Sequence, residues 1–189
     1  MLKKIFASAL TLIVVAGCSS QTTLNRETPP AGTKVVVVEF SDFNCPACRA
    51  ASELVANLQG IPNLYIEFRH RPLPISGHET SPSAANTFEC ARAQNFGNEM
   101  ETALFANQGK FSTELFLQIP TLYKFGSKFD SEKFKKCIDD NEFSDLVKSD
   151  SDFAQGIGVN ATPTFFVNGV ETERSDLAAK IQAAFDAVK

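Results

Sequence analysis

The stretch Val35-Val36-Val37-Val38-Glu39-Phe40-Ser41-Asp42-Phe43-Asn44-Cys45-Pro46-Ala47-Cys48 decides how this 189-residue chain folds. A run of valines followed by Phe40 suits a central strand covered on both faces, because β-branched side chains are stiff at χ1 and pack well on a pleated surface. Beyond Asn44 the chemistry changes. Pro46 belongs at the first position of a helix, where its missing N–H would have no partner anyway, so Cys45 falls at the N-cap and Cys48 at N3. An N-cap side chain faces the free amides of the first turn, here those of Ala47 and Cys48, and the helix dipole favours negative charge there. Cysteines so placed have pKa values lowered from about 8.5 to roughly 3.5–7.5. Cys45 is therefore the candidate nucleophile, and Cys48, one turn deeper, the candidate resolving thiol that attacks a mixed disulfide. The same C-x-x-C spacing also serves as half of a zinc site, so the motif alone leaves a redox and a metal reading open.

The length predicts one domain with a sizeable core, and 17 Phe with no Trp predict a core rich in phenyl rings. The net charge is −4, with no basic stripe, which excludes a nucleic-acid partner. Residues 1–17 have the pattern of a secretory signal: Lys3 and Lys4 precede an apolar run, Ile5 to Ala16, too short for the roughly 20 residues of a membrane span. That run ends Val15-Ala16-Gly17-Cys18, which resembles a bacterial lipobox, whose cysteine is lipidated and becomes the first mature residue. The alternatives are ordinary cleavage or an uncleaved anchor. Using Cys18 for lipid leaves four of the five cysteines, and if Cys45 pairs with Cys48, Cys90 is left with Cys137. Two separate buried thiols remain the other possibility. Ser19, next to the lipid site, points by the usual envelope sorting rule to an outer membrane in a two-membraned bacterium.

Residues 18–33 are polar and predict a flexible tether. After the first strand, Ala50, Leu54, Val55 and Leu58 have helical spacing up to Gly60, and Leu64 to Phe68 reads as a second strand, so the unit is βαβ with parallel strands. Arg69-His70-Arg71-Pro72 reads as loop, and its basic residues Arg69, His70 and Arg71, which follow the strand neighbouring the first, are candidates to favour a thiolate, none above the others. Residues 77–156 turn helical, in pieces near 79–96, 98–108, 112–119, 131–140 and 144–155, with Ser112, Ser131 and Ser144 as N-caps. Phe134, Cys137 and Ile138 share one face, so Cys137 points inward. Strand signals return at Ala161 to Val167, and Asn168-Gly169 predicts a two-residue hairpin to Val170. A last helix, capped by Ser175, packs Leu177, Ile181 and Phe185 on the sheet.

Taken in order, Glu39-Phe40, Cys45-Pro46-Ala47-Cys48, a helical insert and Ala161-Thr162-Pro163-Thr164-Phe165-Phe166-Val167-Asn168-Gly169 resemble the DsbA family of thioredoxin-fold disulfide oxidoreductases over residues 34–188. The resemblance implies an α/β thioredoxin fold, a mixed central sheet flanked by helices, built from 34–76 and 157–189 and interrupted by an all-helical insertion at 77–156. It implies that Pro163 is cis and faces the C-x-x-C, and that Thr162 before it offers backbone groups to an extended substrate. It implies that Glu39 is the buried acid beneath the site that carries a proton to or from Cys48, against the plain alternative of an exposed acid at a strand end. Expected partners are cysteine-containing exported proteins, a membrane redox partner and a membrane surface reached through the lipid on Cys18, on the extracytoplasmic side. The sulfurs carry the electrons, so no cofactor and no metal is expected. The family's well-known oxidases have His where this chain has Ala47, which predicts a less stabilised Cys45 thiolate and a less oxidising disulfide. Thr162 is shared with isomerase relatives, so a reductase or isomerase direction is the alternative. A metal-binding module or a non-catalytic scaffold would be a different class, and His70 and His78 are not at usual ligand spacing.

Overall fold

Strand β1 (Val35–Ser41) is central because both of its faces are apolar over most of its length. Side chains alternate across a strand, so Val35 and Val37 join one core cluster with Val55 and Leu177, while Val38 and Phe40 join another with Ala154 and Val159. Glu39 and Ser41 continue the first face toward the active-site turn. The computed structural model describes Leu24, residues 27–73 and residues 76–188. The signal segment, Cys18 and most of the expected tether lie outside the described residues.

Helix α1 (Pro46–Leu58) buries Cys48, Ala51, Val55 and Leu58, the spacing of one helical face. It returns the chain to β2 (Leu64–His70), which pairs with β1 in parallel from Val35↔Leu64 to Ser41↔His70. β2 thus takes in Arg69 and His70, which the sequence placed in a loop. Both are buried with partners from the insertion: Arg69 Nε and Nη2 donate to Asp150 Oδ1 at 2.9 and 2.7 Å, and His70 Nε2 lies 2.7 Å from Glu89 Oε1. Arg71 Nη1 donates to the Ser151 hydroxyl of the same segment at 3.1 Å, and its Nε to the Val159 carbonyl. The three basic residues therefore tie the sheet to the insertion instead of facing a thiolate.

The insertion consists of α2 (Ser81–Arg92), α3 (Gly97–Ala106), α4 (Thr113–Leu122), α5 (Ser131–Asp139) and α6 (Ser144–Gly156). Ser112 caps α4 by accepting from Leu115 N at 3.1 Å. For α5 the cap is Asp130, one residue earlier than expected, accepting from Lys133 N at 2.9 Å, because Ser131 already has helical backbone. Ser144 is likewise the first residue of α6, behind Phe143. The chain then forms β3 (Thr164–Val167) and β4 (Val170–Thr172), giving the sheet order β2-β1-β3-β4, with β3 antiparallel to both neighbours. Asn168 and Gly169 both have positive φ, +45° and +83°, as a twisted two-residue hairpin requires. A 3₁₀ turn at Arg174–Asp176 precedes α7 (Leu177–Asp186), so Ser175 is not its cap. This is the thioredoxin fold, with a mixed sheet of four strands flanked by seven helices among the described residues.

Within the expected tether, Leu24 and Glu27 are held on the body: the Leu24 carbonyl accepts from Arg69 Nη1 at 2.6 Å, and Glu27 pairs with Arg92 and Tyr65. Among the described residues no helix is long and apolar enough to cross a membrane. A disulfide joins Cys90 on α2 to Cys137 on α5, 47 residues apart. Closing a loop of that length restrains the unfolded chain by about 4 kcal/mol in the chain-entropy model. A Cys137→Ser variant should accordingly lose several kcal/mol of stability in urea unfolding, and mild reduction of the wild type should approach the same midpoint.

Candidate active site

Cys45 is the N-cap of α1 with extended backbone, φ −75° and ψ 118°. Its side chain forms no well-aligned cap hydrogen bond; Sγ lies 3.2 Å from the Thr162 carbonyl, which accepts from the thiol form only. The Thr162-Pro163 peptide bond is cis, and it sets this carbonyl against Cys45. Cys45 is 7% exposed and Cys48 0%. The Cys45 pKa is lowered to about 5, chiefly because the Cys48 thiol donates to its sulfur; the Thr162 side chain and the Cys48 and Ala47 amides add to this, against the opposing effect of burial. The first-turn amides, expected from the N-cap position to be the main stabilisers of the thiolate, are minor contributors beside the other half of the pair.

Cys48 is driven the opposite way. Burial pushes its thiol far above the ordinary cysteine range, donation to Cys45 and the charge of Glu39 push it further, and the Ser41 hydroxyl and the Asp42 amide, 3.4 Å from Sγ, oppose. The two sulfurs therefore share one proton that stays on Cys48. Glu39 is 1% exposed, and burial, with the Glu101 charge beside it, pushes its carboxyl up to about 8 against the Ser41 hydroxyl. The strand-end, exposed alternative for Glu39 does not describe this structure.

Two residues that hold the turn gave no signal in the sequence. The Asp42 carboxylate accepts from Asn44 N at 2.8 Å, Leu73 N at 2.7 Å and the Ser81 hydroxyl, and it meets His78 Nδ1 at 2.8 Å. It fastens the active-site turn to the segment after β2 and to the start of α2. Gln108, between α3 and α4, donates from Nε2 to the carbonyls of Phe43 and Cys45 at 2.8 and 2.9 Å. Phe43 packs its ring 5.0 Å from Phe105 and 5.6 Å from Phe88. No spacing rule marks an Asp or Gln whose partners lie this far along the chain. Both histidines are engaged with carboxylates, and among the described residues no cluster of three or more His, Cys, Asp or Glu is arranged to hold a metal ion.

Residues 31–187 match the family model for thioredoxin. The chain belongs to the thioredoxin family. Over 162 residues, 80% of this chain and 71% of the relative, this thioredoxin-family chain is 32% identical to the probable disulfide bond formation protein D of Bacillus anthracis. It is also 32% identical over 161 residues, 82% of its own length, to Na(+)/H(+) antiporter NhaA 1 of Salinispora arenicola. It spans only about a quarter of the antiporters it matches, 24% in that case. Among solved structures, the thiol-disulfide exchange protein alpha-DsbA2 of Wolbachia pipientis superposes with a TM-score of 0.67 at 22% identity, over 82% of this chain and 83% of that one. At that identity the likeness is one of fold.

An anionic sulfur beside a protonated one is chemically competent for thiol–disulfide exchange, with Cys45 as attacking or leaving group. Replacing Cys48 with Ala removes the main donor to Cys45, so the Cys45 pKa, read from thiolate absorbance, should rise by more than one unit. Glu39 carries a separate signature. Its pKa is raised from 4.5 unfolded to about 8 folded, so wild-type stability falls as pH rises through this window. In the disulfide form, where the two sulfurs do not titrate, Glu39→Gln should match the wild type below pH 4.5 and exceed it increasingly up to about pH 8, by several kcal/mol on the order of 1.4 per pKa unit.

Proposed function

We propose that this protein is an extracytoplasmic thiol:disulfide oxidoreductase that exchanges disulfides with exported proteins through Cys45 and Cys48, in the direction of oxidation. The observation that carries the reading is the split between the two sulfurs, with Cys45 lowered to about 5 while Cys48 keeps its proton. In the oxidising direction a substrate thiolate attacks Cys45 Sγ. The Cys45–Cys48 bond breaks with its electron pair going to Cys48, and that sulfur takes a proton from Glu39. A second substrate thiolate then attacks the substrate sulfur of the mixed disulfide, and Cys45 departs as a stable thiolate. The substrate loses two electrons and the enzyme gains them. In the reverse direction Cys45 attacks a substrate disulfide, and Cys48, giving its proton to Glu39, resolves the adduct.

Thr162 and Pro163 form the substrate ledge. The Thr162 carbonyl beside Cys45 is placed to pair with the backbone of an extended guest, which reads main chain and gives broad specificity. The Cys90–Cys137 disulfide supports an oxidising compartment. With the lipobox at Cys18 it supports a mature protein held on the extracytoplasmic face of a bacterial membrane by acyl chains. A membrane redox partner would reoxidise the pair; nucleic acid, cofactor and metal have no part in this reading. Reduction or isomerisation is the second reading, favoured by Ala47 between the cysteines.

Equilibration with glutathione should place the reduction potential between about −120 mV, the strong-oxidant value, and about −270 mV, the reductant value. A potential near the upper limit supports oxidation and one at the lower limit supports reduction. In cells, Cys48→Ala should accumulate mixed disulfides with exported proteins and Cys45→Ala should not; an absence of adducts in the Cys48 variant would leave only a scaffold.

A further inference from the structure

Glu39 is enclosed, with its Oε2 lacking any hydrogen-bond partner, yet a proton carrier must exchange with solvent in every cycle. Two neighbours stand on either side of it. Ser41 lies two residues on along the same face of β1, is 1% exposed, and its hydroxyl has no fixed partner. That hydroxyl lies near enough to both Glu39 and Cys48 to favour the anionic form of each. On the other side Glu101 projects from α3, 9% exposed, and acts on Glu39 by its charge. Glu39 and Glu101 line one crevice of about 470 Å³ between α1, β2 and α3, and Glu101 also lines the groove of about 690 Å³ between α1 and α3. Both spaces are large enough to admit several water molecules.

We propose that Ser41 and Glu101 complete a proton relay through Glu39, linking the buried Cys48 sulfur to the solvent-filled crevice between α1, β2 and α3. The proposal rests on the assignment of Glu39 as proton carrier made above. When Cys48 leaves the disulfide, its sulfur takes a proton through the Ser41 hydroxyl from the Glu39 carboxyl. Glu39 is then reprotonated by Glu101, which draws a proton from water. When Cys48 attacks, each transfer runs backward. Ser41 passes one proton on for each it receives, so no charge is left on it.

The other charged groups facing the crevice are engaged elsewhere or lie toward its rim. Glu27 pairs with Arg92 and Tyr65, Arg92 also pairs with Glu89, and Glu67 accepts from Glu27 N. Glu99 lies on the first turn of α3, and Arg49 and Glu53 of α1 line the groove side. Glu101 is pushed up to about 7 by burial, and general acids work best with a pKa near the working pH.

The test is peptide-thiol oxidation by the full chain in weak buffer, with pH profiles for Glu101→Gln, Ser41→Ala and Glu39→Gln. Glu101→Gln should slow turnover about tenfold or more, the lower end of what proton transfer contributes. Removing the neighbouring charge should also move the alkaline limb of its profile to lower pH. Acetate or imidazole, small enough to enter the crevice, should restore the rate of Glu101→Gln, and Glu101→Asp should retain most of it. Ser41→Ala should be slowed without rescue, because its gap lies on the inner side. If Glu39→Gln is slow while Glu101→Gln and Ser41→Ala keep the wild-type rate and profile, the relay is wrong and the Glu39 assignment stands. If Glu39→Gln is itself like wild type, both fail. A slow Glu101→Gln with an unshifted profile and no rescue reduces Glu101 to a structural role and overturns the relay. If Glu101→Gln does not fold, Ser41→Ala decides, and wild-type kinetics there overturn it.

Discussion

One proton shared unequally by two sulfurs, one helical turn apart, is the interaction on which the rest of this molecule depends. Cys45 can be anionic because Cys48 donates to it, and Cys48 can donate because burial denies it a charge of its own. Neither state exists without the enclosing fold. Phe43 and the start of α1 are keyed into the insertion, while Gln108 and Asp42 fix the backbone between them. The site is therefore a property of the seam between the sheet and the helices α2 to α6, more than of the motif.

That seam is polar to an unusual depth. Arg69 with Asp150, His70 with Glu89, and Asp42 with His78 all join the sheet side to the insertion in buried positions. A buried polar pair of this kind, ionic in the case of Arg69 and Asp150, contributes little net stability against a well-packed apolar substitute, but losing one partner strands the other. Such contacts specify a single docking geometry. Directed hydrogen bonds depend on angle as well as distance, so they constrain the docking more narrowly than ring contacts alone.

Local signals in the sequence carried the fold and the reacting pair. The valine run, Pro46 after Cys45, helical spacing in α1 and Asn168-Gly169 each act over a few residues, and local chemistry is what spacing can express. Boundaries failed where a distant partner decides them: β2 extends through Arg69 and His70 because Asp150 and Glu89 await them. The cap of α5 moved from Ser131 to Asp130 within the error of one residue. Asp42 and Gln108 were silent because their partners come from other elements. Glu39 was legible only through family likeness, since a lone acid at the end of a strand has no periodic mark. The cause of the low Cys45 pKa was misassigned for the same reason: a motif shows which residues are adjacent in sequence, not which one donates the hydrogen.

The clasp of Leu24 by Arg69 limits how far the domain can travel. A lipid on Cys18, as proposed, would leave six peptide steps to that clasp, a reach of roughly 20 Å at full extension. The catalytic end of the sheet, where Arg69 stands, would then ride within one protein diameter of the bilayer surface. Clients would be met as they leave the membrane, while still extended enough to lie along the ledge, and proteins already folded in the space beyond would pass out of range.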